Sequence, residues 1–403
     1  MRVAFITQEY PPHIVGGAGA YAHGLVSSLC ELGIDVTVFT VAGADVGSPT
    51  CVPVSEASSG ALSFWRRLPK ALLQTVWMQG EFDVIHGNGI ADLSVMRHHM
   101  QAARIVTVHH VTRCLVRPGI TGLLARCRDI RGETGLVPLV EGHVMRRADR
   151  VIADTEMTRT EAISWCRVKE TCVETVHIGV RIPGPVSSVA VSDIRSELCL
   201  KGERLVLAVG RLEYRKGVDI LIRAWARLAP GQVPYRLVLA GDGDAAAYQT
   251  LAQSLGVSDY VSFLGRVDPC QIEALYDACD LFVLPSRNEG FGLVAVEAMS
   301  HGKPVIMTHT GVAMDGIVGP ENGAVVPAAD VEGLASAISR LLENPAELAV
   351  IGERNRESIT TRLSWKTTAA ATIEVYKHAM ADRTLSAGRR KWSPEGRARA
   401  IWR

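Results

Sequence analysis

The chain has 403 residues, 47% of them hydrophobic and 5% aromatic, with 43 Lys and Arg against 42 Asp and Glu. This length accommodates two domains with a core each, and the balanced charge excludes a broad basic surface of the kind nucleic acid selects. Nine cysteines lie scattered without a CxxC pair or a His/Cys cluster at metal spacing, a pattern of free thiols in a reducing compartment.

In chain order, the N-terminal MRVAFITQEYPPH holds only a short apolar run before polar residues, too short for a signal peptide. No window reaches the roughly 18 uncharged apolar residues of a spanning helix. The expectation is a cytoplasmic protein that at most rests peripherally on the inner face of a membrane. Strands are expected at 3–7, 35–40, 83–87, 104–110, 150–154 and 175–178, with helices over 18–32, 61–79, 90–101, 136–147 and 155–165. The stretch 181–203 is rich in Pro, Gly and Ser and reads as a linker. The alternation then restarts, with strands at 204–210, 236–243, 260–265, 280–286, 304–309 and 323–327. Strands separated by helix-length segments imply right-handed βαβ units and parallel sheets covered on both faces. The fold class is therefore α/β, two Rossmann-like doubly wound domains facing across a cleft. The domain reading is 1–182, a linker at 183–203, a second domain at 204–362, a helix at 363–383 that returns to the first domain, and a basic mobile tail at 384–403. The segments 45–60 and 111–135 read as loops without legible chemistry. Arg126, Arg128, Arg131, Arg146 and Arg147 offer a face for anionic lipid, although the interspersed acids favour a mixed solvated surface.

Ligands of such sheets lie beyond the carboxyl ends of the strands, so the chemistry is sought there. In DLFVLPSRNEGFGLVAVEAM, Glu289 and Glu297 stand eight residues apart across an elbow containing Gly290, Phe291 and Gly292. Glycine lets backbone approach a ligand closely, and the first amides of a helix starting near Gly292 and Leu293 lack intrahelical acceptors, which makes an anion site. Acids beside an anion site make sense when the ligand also carries hydroxyls, because carboxylates accept from them. A sugar diphosphate fits, with Glu289 holding a transferable sugar and Glu297 a ribose; the bland alternative is an ordinary strand-to-helix turn with two surface acids. In AVGRLEYRKGVDIL, Arg211 and Lys216 supply cations able to neutralise a departing diphosphate, or else are solvated loop charges. Gly16 and Gly17 open a loop after the first strand, and His109 ends the strand RIVTVHH; each alone is weak.

Taken together, these stretches resemble the family 4 retaining glycosyltransferases of the GT-B fold. The glycine loop at 16–19, TVHH at 107–110, ADRVIADTE at 148–156, GRLEYRKGVD at 210–219, FLGRV at 263–267 and the elbow with its E-x7-E spacing carry the likeness. The resemblance implies Arg211 and Lys216 on the donor phosphates, with Gly17 near the distal one. It places Glu289 and His109 on the donor sugar, Glu297 on the ribose, and backbone around Arg266 and Val267 on the nucleobase. It also implies transfer of a hexose or hexosamine from a nucleoside-diphosphate sugar to an acceptor hydroxyl with retained configuration. The acceptor class stays open among small metabolite, lipid and polysaccharide.

Two places depart from the family pattern: HIGVR at 177–181 stands where PNGVD is usual, and GVAMD at 311–315 lacks a glycine at Val312, with Asp315 in the place of the acid. GDGD at 241–244 contains a DxD that chelates metal in a different fold. Here it reads as turn chemistry, Asp242 and Asp244 capping the next helix, and no metal or other cofactor is expected. A nucleotide-sugar epimerase on the same fold and a non-catalytic nucleotide-sugar-binding protein are the rival readings.

Overall fold

The computed structural model describes residues 1–12, 16–41, 50–55, 60–91, 93, 101–111, 137–198, 203–228 and 235–391. The chain divides into two compact units, one of Met1–Gly179 with Trp365–Arg403, the other of Val180–Ser364.

The first unit is a seven-stranded parallel sheet in the order β3-β2-β1-β4-β5-β6-β7. Its strands are β1 (Arg2–Ile6), β2 (Asp35–Val41), β3 (Thr50–Ser55), β4 (Val84–Asn88), β5 (Ala103–Val108), β6 (Arg150–Ala153) and β7 (Val173–Thr175). Helices α1 (Gly17–Glu31), α2 (Gly60–Gln79), α3 (Val137–Arg147) and α4 (Glu156–Ser164) connect them. Strands such as VAFI and ARIVTV read as continuous apolar runs because helices cover both faces, and Val3 to Ile6 are fully buried.

The long helix α12 (Trp365–Lys391) belongs to this unit. Gly24 of α1 makes its close approach possible, since a Cβ there would lie 2.1 Å from the Trp365 ring. Farther along, the Tyr376 hydroxyl meets His86 Nδ1 at 2.7 Å inside the core. The helix runs past residue 383, where a tail was expected, as far as Lys391; the rest of that tail lies outside the described residues.

The second unit is a six-stranded parallel sheet in the order β10-β9-β8-β11-β12-β13. It comprises β8 (Arg204–Val209), β9 (Tyr235–Ala240), β10 (Val261–Gly265), β11 (Leu281–Leu284), β12 (Val305–Thr308) and β13 (Gly323–Val326). Alternating with them are α5 (Ser188–Leu198), α6 (Val218–Arg227), α7 (Ala245–Ser254), α8 (Pro269–Ala278), α9 (Leu293–Ser300), α10 (Val331–Leu342) and α11 (Pro345–Arg362). Its core packs Leu221, Ile222 and Trp225 of α6 with Leu334, Ile338 and Leu341 of α10.

Three expectations change. The loop reading of 45–60 misses β3, an edge strand whose Pro53 is tolerated because one side needs no ladder bond. The linker contains α5, a surface helix with no buried residue, tied down where Arg195 Nη1 donates to the Ala278 carbonyl at 2.6 Å. The strand expected at 175–178 ends at Thr175; Val176 still donates to the Ala153 carbonyl at 2.9 Å, and beyond it the His177 carbonyl accepts from Thr368 of α12. Most of the helix expected at 90–101 falls outside the described residues, as do Arg126, Arg128 and Arg131. Arg146 and Arg147 close α3, and Arg146 donates to the Cys166 carbonyl at 2.6 Å. Among the described residues no helix is long and apolar enough to cross a membrane.

Candidate active site

In an open parallel sheet the natural crevice lies where the strand order reverses, at the carboxyl ends. In the second unit that point is between β8 and β11. The β8–α6 connection carries Arg211 and a one-turn 3-10 helix over Tyr214–Lys216; the β11–α9 connection is the elbow.

Gly217 has φ +66, and a Cβ there would lie 2.1 Å from the Pro285 carbonyl oxygen, so only glycine lets the two loops touch. Arg287 then pairs with Asp219 through both guanidinium nitrogens at 2.7 Å, and its head lies 3.9 Å from the Tyr214 ring centre. Burial would raise the Asp219 carboxyl, but the Arg287 contact more than offsets it and holds the group below its usual range.

Within this frame Lys216 Nζ donates to Glu289 Oε1 at 2.6 Å. Ser286 Oγ donates to the same oxygen at 2.6 Å, while Arg215 Nη1 reaches Glu289 Oε2 at 3.4 Å and the Asn288 carbonyl at 3.1 Å. Glu289 is buried. Burial alone would push its carboxyl up; the Lys216 and Arg215 charges and the two hydrogen bonds win and bring it down to about 2. Lys216 lines one small cavity with Gly210, Arg211 and Pro285. Arg211 is half-exposed and lies 3.7 Å from Glu213 Oε2.

Gly292 has φ +94 and opens α9. The elbow is braced from below: Gly311, at φ +51, would place a Cβ 2.4 Å from the Phe291 carbonyl oxygen and 3.2 Å from the Glu289 Cβ. Val312, the residue that departs from the family pattern, is fully buried and donates its amide to the Phe291 carbonyl at 2.9 Å. The left-handed turn falls to Gly311 beside it.

The two spaced acids are not equivalent. Glu297 accepts from the Tyr276 hydroxyl at 2.9 Å, and burial raises its carboxyl against the pull of that bond, with Glu273 adding to the rise. One acid is thus held ionised by cations and the other is biased toward its proton, so the E-x7-E spacing joins two different chemical environments.

Arg266 and Val267 follow β10 on the same sheet edge, Arg266 exposed, and the Gly265 carbonyl accepts from Gly241 at 2.7 Å. GDGD serves as turn chemistry with one change of detail. Asp244 caps α7 through Ala247, whereas Asp242 contributes its carbonyl, which accepts from Leu212 at 2.6 Å.

In the first unit the order reverses between β1 and β4. Gly16 caps α1, Gly17 opens it, and a Cβ on either would meet nothing within 4 Å among the described residues. His109 follows β5, with Nδ1 2.6 Å from Asp154 Oδ2 and Nε2 2.7 Å from Asn88 Oδ1.

With this geometry in place, two family models match: "Glycosyl transferases group 1" over residues 192–358 and "Glycosyltransferase Family 4" over 15–182. The chain belongs to the group 1 glycosyltransferases. An uncharacterized glycosyltransferase of Methanocaldococcus jannaschii is 29% identical, the match covering 94% of this chain and 99% of that one. D-inositol 3-phosphate glycosyltransferase 2 of Catenulispora acidiphila is 29% identical over 91% of each. The crystal structure of Anabaena HepE, in complex with UDP and glucose, aligns with a TM-score of 0.72 at 23% identity, covering 94% of this chain and 99% of that one. The fold is that of a GT-B glycosyltransferase, and the chain is a transferase of that family.

Sequence reasoning singled out Arg211, Lys216, Glu289 and Glu297 but passed over Arg215, Ser286, Arg287, Asp219, Asn88 and Asp154. A signal existed for some: Arg215 is one residue from Lys216, and Asp219 stands in the first turn of the next helix. For Asn88 and Asp154 the partners are far apart in the chain, and only the sheet order brings them together.

Proposed function

We propose that the protein transfers a hexose or hexosamine from a nucleoside-diphosphate sugar to an acceptor hydroxyl, with retained anomeric configuration and without a metal. The observation that carries the reading is the 2.6 Å pair of Lys216 and Glu289 at the switch point, beside the open first turn of α9. The first amides of a helix favour an anion, and Lys216 and Arg211 add cations that line one small cavity together. A diphosphate seated there draws its charge stabilisation from fixed groups, the role a divalent ion plays in other transferases.

Glu289 has a double task in this account. It aims Lys216, and its remaining lone pairs accept from donor-sugar hydroxyls. Glu297, with one oxygen on Tyr276, keeps the other for the ribose. Backbone at Arg266 and Val267 is assigned to the base, and His109, Gly16 and Gly17 are assigned donor contacts of their own. The HepE complex, which contains UDP and glucose, supports a nucleotide-sugar donor for a chain of this fold.

In the reaction the bond from the anomeric carbon to the phosphate oxygen breaks and a bond to the acceptor oxygen forms on the same face. The acceptor proton passes to the departing phosphate oxygen. Neither Glu289, engaged by Lys216, Arg215 and Ser286, nor Glu297 is placed as a nucleophile, so positioning and leaving-group stabilisation supply the catalysis. Incubation with a panel of nucleotide sugars and acceptor mixtures, followed by NMR of the product's anomeric signal, tests it. An α-linked product from an α-linked donor is expected; an inverted product, or a requirement for divalent metal, would overturn it.

A further inference from the structure

The polar groups at the strand ends of the first unit form one connected network, and hydrogen-bond counting fixes its direction. The Ala18 carbonyl, in the first turn of α1, can only accept. Asn88 therefore turns its amide nitrogen toward it, at 3.0 Å, and toward Thr7 Oγ1, at 3.1 Å. The Asn88 oxygen is left facing His109 Nε2 at 2.7 Å, so that nitrogen must donate. His109 Nδ1 stands 2.6 Å from Asp154 Oδ2. Two bare acceptors at that distance would repel, so a proton lies between them, whether on nitrogen or oxygen.

The surroundings hold the ring in place. Asp154 is fully buried, and its Oδ1 has no hydrogen-bond partner among the described residues. The Tyr21 and His109 rings meet in a T-shaped arrangement with centroids 4.8 Å apart, the Tyr21 hydroxyl being spent on Thr107. His86, also on Thr107, is pushed down to about 3 by burial and stays neutral. Burial raises the Asp154 carboxyl, against the pull of its contact with His109. On the other side Thr7 Oγ1 accepts from the Glu9 amide at 3.3 Å and donates to the Glu9 carbonyl at 3.0 Å, and the Glu9 carboxylate accepts from Gly16 at 3.0 Å. Both ends of the glycine loop, Gly16 and Ala18, are thus tied to strand ends.

We infer that Asn88 and Asp154 are positioning residues for His109. Between them they keep hydrogen on Nε2 and occupy Nδ1, leaving neither ring nitrogen free to accept a proton from a substrate, while Asn88 locks the same ring to the glycine loop. The catalytic consequence rests on the reading of His109 as a donor-sugar contact: this histidine is a rigid wall of the site and not its base. The acceptor proton must then go elsewhere, as the transfer to the leaving phosphate requires.

The test is NMR on the full-length protein with ¹⁵N-labelled histidine, the His109 signal identified by its loss in His109→Gln. The native ring should carry hydrogen on Nε2 and a hydrogen-bonded Nδ1. Asn88→Ala should give a mixture of tautomers, whereas Asp154→Ala should keep hydrogen on Nε2 through Asn88 and leave Nδ1 without its hydrogen bond. Asp154→Asn should keep the native signature, because its amide donates to Nδ1; a purely structural role would not separate these two Asp154 variants. Should Asp154→Ala fail to fold, Asn88→Ala and Asp154→Asn decide. Amide exchange over residues 16–21 should also rise at least tenfold in Asn88→Ala, as local opening loses its tie. A native ring with bare Nε2, or an Asn88→Ala protein whose His109 signal and loop exchange match the native, would overturn the inference. A UDP-induced melting shift reads the donor site separately, so failure of the donor reading leaves the ring result standing.

Discussion

The two sheets reverse strand order at equivalent places, yet the chain equips the two switch points differently. In the second unit the loops after β8 and β11 are joined by charge: Arg287 with Asp219, and Lys216 and Arg215 with Glu289. In the first unit the ends of β1, β4, β5 and β6 are joined mainly by neutral hydrogen bonds through Thr7 and Asn88, with the His109–Asp154 contact at the end. The difference teaches what each edge is for. A network of ion pairs can rearrange its charges around an incoming anion, whereas a network of matched donors and acceptors holds a shape. The second unit is built to meet charge, the first to hold geometry.

The sharpest way to break the comparison is at Lys216. Lys216→Met should lower transfer by at least about 10²-fold, as removal of a preorganised charge contact does. It should also destabilise the second unit by up to about 3 kcal/mol, because Glu289 is left buried with only Arg215 and Ser286; steady-state rates and urea unfolding read both. Arg211→Ala provides the contrast. It should cost a similar factor in rate but less than about 1 kcal/mol in stability, since Arg211 makes only a half-exposed pair.

Acid should separate the units next. Glu289 has its carboxyl lowered from 4.5 to about 2 in the folded protein. Its contribution is therefore fully present above the unfolded value and is lost as pH falls from about 4.5 toward 2. A shift of this size corresponds to about 3 kcal/mol. Urea midpoints at pH 3 and pH 5 should differ markedly in the native protein and by less in Glu289→Gln.

Glycine replacements sharpen the contrast further. Gly217→Ala should cost about 2–3 kcal/mol or prevent folding, because the left-handed backbone and the Pro285 carbonyl both oppose a side chain. Gly17→Ala should leave stability within about 0.5 kcal/mol of native or raise it slightly, as an alanine in a first helical turn with free space around it. If the loop approaches a donor phosphate, the same variant nonetheless loses turnover. Thermal unfolding beside an activity assay distinguishes the two effects.

The fold was largely legible because strands buried on both faces announce themselves as unbroken apolar runs, as VAFI and LFVL do. What escaped followed from context. β3 carries Pro53 and polar residues because it lies at an edge, and α5 buries nothing, so neither leaves an apolar signature. At the site, Arg211, Lys216 and Glu289 were readable as residue types at strand ends. The direct contact of Lys216 with Glu289 spans 73 positions and was not. Asn88 and Asp154 were invisible for the same reason: an isolated Asn or Asp after a strand says nothing until the sheet order sets His109 between them.

The central claim is that a nucleoside diphosphate binds the second unit at the Lys216–Glu289 site. Melting temperatures of the native protein and Lys216→Met, each with nucleosides, nucleoside monophosphates and nucleoside diphosphates, test it most directly. The account predicts that at least one diphosphate raises the native melting point above its monophosphate, and that Lys216→Met abolishes most of that gain. A native protein indifferent to every diphosphate, or a variant that keeps the full shift, would contradict it.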